Sequence, residues 1–88
     1  MEEQIRKSDA DKLDEIVMQN TQLMDMLIQL AETTKACYLE SENEHFKEVF
    51  KILNKTYCDA GNKIGMLNID ICTAKMNACM EVIRSNET

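Results

Sequence analysis

Proline is absent from this 88-residue sequence, and glycine occurs only at Gly61 and Gly65. Sandwiches, barrels and other turn-rich β folds use those two residues as punctuation, so they are disfavoured. Long apolar runs are missing too. The longest are three or four residues, as at Met26-Leu27-Ile28, so nothing reads as a membrane span. Behind Met1 stand Glu2, Glu3 and Gln4 rather than a basic start and an apolar stretch, and no secretion leader is expected. The four cysteines follow no pairing pattern, which points to free thiols in a reducing, cytoplasmic compartment. Basic charge is scarce, with 10 Lys and Arg against 16 Asp and Glu and a net charge of −6. Nucleic acid is therefore an unlikely partner.

What is present reads as helix. Hydrophobic residues make up 44% of the chain, too many for a disordered acidic tail, and the length suits one domain over residues 1–88. At about 100° per residue, Leu13, Ile16, Val17, Asn20, Leu23, Met24, Leu27, Leu30 and Ala31 fall on one broad face. A stripe this wide suits a helix in a bundle better than a two-stranded seam. Ser8 or Asp9 is the candidate N-cap, and Ile5 lies near the same face, so the helix is predicted over 5–39. Ser41 and Glu44 then read as a capping box for a second helix. Its apolar positions Phe46, Val49, Phe50, Leu53, Tyr57, Ala60, Ile64, Leu67, Ile71 and Val82 keep one phase across Gly61. A turn would reset that phase, so one helix is predicted over 43–84. The alternative is a break near Gly61, giving a three-helix bundle. The fold class is all-α: a long antiparallel helical hairpin joined by a turn of two or three residues.

A hairpin of two helices buries one stripe on each. Beyond its main stripe, the second helix carries Met66, Ile69, Cys72, Met76, Cys79, Met80 and Ile83. A helix apolar over most of its circumference needs neighbours on more than one side. The chain is therefore expected to associate with itself, most simply as a dimeric four-helix bundle. Candidate interface residues are Asn20, Met24, Met26, Tyr57, Gly61, Gly65, Met66, Met76, Cys79 and Met80. Asn20 is a polar residue at an apolar-stripe position, where it can set register. The two glycines, four apart, allow close backbone approach, and the methionines offer an adaptable contact surface.

Motifs for chemistry are few. No two cysteines have the spacing of a zinc knuckle, and His45 is the single histidine. Neither a glycine-rich phosphate loop nor a nucleophile motif occurs. The expectation is a non-enzyme with no cofactor and no metal. Lys47, Lys51 and Lys55, spaced by four, form a possible anion-binding ridge, otherwise an ordinary solvated face.

The function expected first is a protein–protein interaction module, acting as regulator, inhibitor or assembly adaptor. Its partners would be itself and another protein. The stretch Ala74-Lys75-Met76-Asn77-Ala78-Cys79-Met80-Glu81-Val82 resembles the end of phage-encoded helical hairpins that sequester cyclic nucleotide signals. Asn77 and Met80 stand where that family has aromatic and arginine positions, so the chain is not assigned to it. The resemblance implies the alternative function, an oligomeric helical protein that sequesters a small anionic ligand such as a cyclic nucleotide.

Overall fold

The chain is described by a computed structural model over residues 8–87. Residues 5–7, assigned above to the start of the first helix, lie outside the described residues. Two helices follow one another, α1 over Asp9–Glu40 and α2 over Glu44–Glu87. Ser8 caps α1, its hydroxyl oxygen accepting from the Asp11 amide at 3.2 Å, and Asp9 and Asp11 place negative charge at the positive end of the helix.

The turn corrects one expectation. The Ser41 amide donates to the Cys37 carbonyl at 2.9 Å, so Ser41 closes α1 instead of opening α2. Its hydroxyl donates to the Asn43 carbonyl at 3.2 Å. Asn43 caps α2: its side-chain oxygen accepts from the amides of His45 at 2.9 Å and Phe46 at 3.2 Å. The Ser41 backbone is held by the last turn of α1, and a short amide oxygen two residues on reaches the free donors of the next helix.

Helix α2 runs unbroken through Gly61, with no glycine at positive φ, which overturns the three-helix alternative. A glycine inside a helix costs only about 1 kcal/mol, and no proline is present to stop the run. A Cβ at Gly61 would meet nothing within 4 Å, and one at Gly65 would touch the Met24 methyl at an ordinary 3.7 Å. Gly61→Ala is therefore expected to stabilise the chain by about 0.5–1 kcal/mol in urea unfolding. A loss of stability would contradict the continuous helix.

The hairpin measures 68 × 28 × 14 Å. Its thickness is little more than one helix with side chains, so the molecule is a single layer. Among the described residues only Thr34 is buried, and no apolar side chain is. The Thr34 hydroxyl donates back to the carbonyls of Leu30 and Ala31 at 2.8 and 3.0 Å, so it is satisfied inside its own helix. On α2, Phe50, Leu53, Tyr57, Ala60, Ile64 and Ile71 reach the seam and are half-buried. Phe46, Val49, Leu67 and Val82, expected on the same stripe, remain exposed. One neighbouring helix covers only part of each cylinder, and the stripe is wider than that contact.

Polar contacts also join the two helices. The Asn20 side-chain amide donates to the Asn68 side-chain oxygen at 2.9 Å, and Asn54 donates to the Ala31 carbonyl at 2.6 Å. Near the open end the Lys75 ammonium hydrogen-bonds and ion-pairs with the Asp14 carboxylate. That hydrogen bond raises the Lys75 pKa above its ordinary value, against an opposing desolvation.

Candidate functional site

In the turn half of the hairpin, one face opens into a groove of about 700 Å³ between α1 and α2. Ala31 and Gly61 line it where a larger side chain would fill the space. Apolar walls come from Met24, Ile28 and Leu39 of α1, and Tyr38 and Tyr57 add a ring from each helix. The charged lining residues are Glu32, Lys35 and Lys51. A mostly apolar cleft of this volume, with a few polar groups, has the dimensions of a small-molecule site.

The structure divides the residues predicted as sites. Met24, Tyr57 and Gly61 line the groove, and Gly65 lies beside Met24 just beyond it. Met26, Met66, Met76 and Met80 are exposed, as is Cys79. Asn20 is paired within its own chain. Its partner Asn68 carries no signal in the sequence, because a polar side chain amid helical residues does not show which residue of the other helix it will face.

The lysine ridge also divides. The Lys47 ammonium sits 5.1 Å from the centre of the Tyr38 ring, a cation–π contact. Lys51 lines the groove, whereas Lys55 is exposed and does not. Residues four apart rotate by about 40° at each step, so three of them cannot share one narrow line. Lys35 comes from the other helix to join Lys51 at the groove, a juxtaposition the sequence reading missed. The signal for it was the position of the turn, since folding the chain at Ser41–Asn43 brings residue 35 level with residues near 50.

Among the described residues, no three His, Cys, Asp or Glu side chains gather to hold a metal ion. All four cysteines are free thiols, Cys37 half-buried and Cys58, Cys72 and Cys79 exposed. No described helix is long and apolar enough to cross a membrane. The fold defines the class of this protein as an all-α antiparallel helical hairpin. No family model, curated protein or solved structure matches the chain.

Proposed function

We propose that the protein works by protein–protein contact in the cytoplasm, as a small acidic hairpin that associates with itself and serves as a regulator, inhibitor or assembly adaptor. It carries out no chemistry of its own in this reading. The observation behind it is the absence of any buried apolar side chain among the described residues, in a chain that is 44% hydrophobic. A chain of this size needs its apolar surface gathered into one core, and a single layer of helices has nowhere to put it. Association supplies the missing layer. The exposed Met66, Met76 and Met80 then offer a pliable surface to another protein. Size-exclusion chromatography with light scattering is expected to give at least a dimer at micromolar concentration. A stable monomer would end this reading.

A second reading is favoured by the groove. Lys35 and Lys51 outnumber Glu32 along an apolar cleft in a chain of net charge −6, so the cleft suits a small anion with an apolar body, such as a cyclic nucleotide. Thermal-shift assays with cyclic dinucleotides and trinucleotides test it. A rise in melting temperature abolished by Lys51→Glu would support this ligand class, and no shift at saturation would remove it.

A further inference from the structure

We infer that a second copy of this chain docks on the face of the hairpin opposite the groove, centred on Leu23 of α1 and Leu67 of α2. The inference rests on the self-association proposed above and assigns the surface that performs it.

The face is defined by rotation about each helix. The groove residues Met24, Ile28 and Lys35 lie to one side of the α1 seam, and Lys51, Cys58 and Asn62 lie to the same side of the α2 seam. Ile16, Leu23 and Leu30 lie on the other side of the α1 seam, at steps of seven residues. On α2 the row Leu53, Ala60, Leu67 and Ala74, again at steps of seven, runs out of the seam on that same side: Leu53 and Ala60 are half-buried at its edge, and Leu67 and Ala74 are exposed. A seven-residue repeat on both helices is the pattern that keeps one face turned toward a partner in a left-handed bundle, with crossing angles near 20°. In the exposed part of the α2 row Leu67 is a projection and Ala74 a recess for a helix lying across it.

Charge separates this face from the groove face. Between Phe46 and Val82, the strip of α2 from this row to the seam contains no charged residue, and Thr56 is its single polar one; Lys63, Asp70 and Glu81 border its outer edge, where an interface rim is charged. The matching sector of α1 carries no charge from Ile16 to Cys37. The groove side holds Glu32, Lys35 and Lys51. Interface centres exclude charge, so a second copy selects the uncharged face and leaves the groove open.

The surface area agrees. The chain exposes 7507 Å², whereas a compact monomer of its mass would expose about 5,300 Å². The surplus, roughly 2,000 Å² per chain, falls in the range that an obligate homodimer buries.

The test is carbene footprinting of the wild-type protein at a concentration where light scattering reports an oligomer. In the single chain Leu67 is 51% exposed, Val49 52% and Ile28 52%, so the three would label alike without a partner. Leu67 and Val49 are expected to label several-fold less than Ile28. The variants Leu67→Glu and Ile28→Glu, matched in chemistry and exposure, are expected to differ in mass, the first dissociating and the second not. A monomeric wild-type chain would remove the self-association reading and this inference with it. An oligomer that protects Ile28 as strongly as Leu67, or that falls apart only with Ile28→Glu, would overturn the face assignment alone.

Discussion

The melting temperature of this protein is expected to rise by roughly 5–10 °C when its concentration is raised a hundredfold. A hundredfold change in a binding partner shifts a coupled folding equilibrium by about 2.7 kcal/mol. Two chains of 88 residues unfolding together convert each kcal/mol into about 2–4 °C. The physical ground is the thin seam of the single chain: its apolar side chains are at most half-buried among the described residues, so in the proposed self-association contact between copies adds a large share of the hydrophobic term. Circular dichroism melts at 222 nm across the concentration range read the effect directly. A chain whose helices stood alone would melt at one temperature throughout, and the proposed function would lose its main support.

The second large effect lies in the seam. Asn20→Leu removes the donor to Asn68 and leaves a part-buried amide without its partner, at a cost of about 1–2 kcal/mol. Asn68→Leu is expected to cost a similar amount. The double variant, with leucine at both positions, is expected to recover most or all of that stability, because both polar groups are then gone. Urea unfolding of the four proteins at one concentration gives the coupling energy. Additive losses would show that the two side chains do not act as a pair. The recovered double variant would carry a seam with fewer constraints on alignment, since a buried polar pair is satisfied in one register and not in its neighbours.

The helices themselves were legible from residue types. Ser8 at the start of α1 has a side chain that caps locally, and the unbroken phase of Phe46, Tyr57, Ile64 and Val82 marked α2 as one helix through Gly61. The cap acts within one turn and the phase is carried along a single helix, so neither requires a partner. The capping of α2 was misplaced by two residues because Ser41 and Asn43 are both good caps, and the end of α1 decides between them. Asn54 offered no signal at all in one dimension, since its partner is a carbonyl on the other helix.

The absence of proline, the scarcity of glycine and the repeat of apolar residues determined by themselves that this protein is two long helices with more apolar surface than one hairpin can use. Tertiary structure alone decided how that surface is divided. Folding at Ser41–Asn43 brings Asn20 to Asn68, joins Lys35 with Lys51 beside an apolar groove, and leaves Leu23 and Leu67 exposed outside that groove. The physical reason is geometric. A helical repeat specifies which residues share a face, while the rotation of each helix about its axis in the folded hairpin specifies which face meets the neighbour and which remain outside.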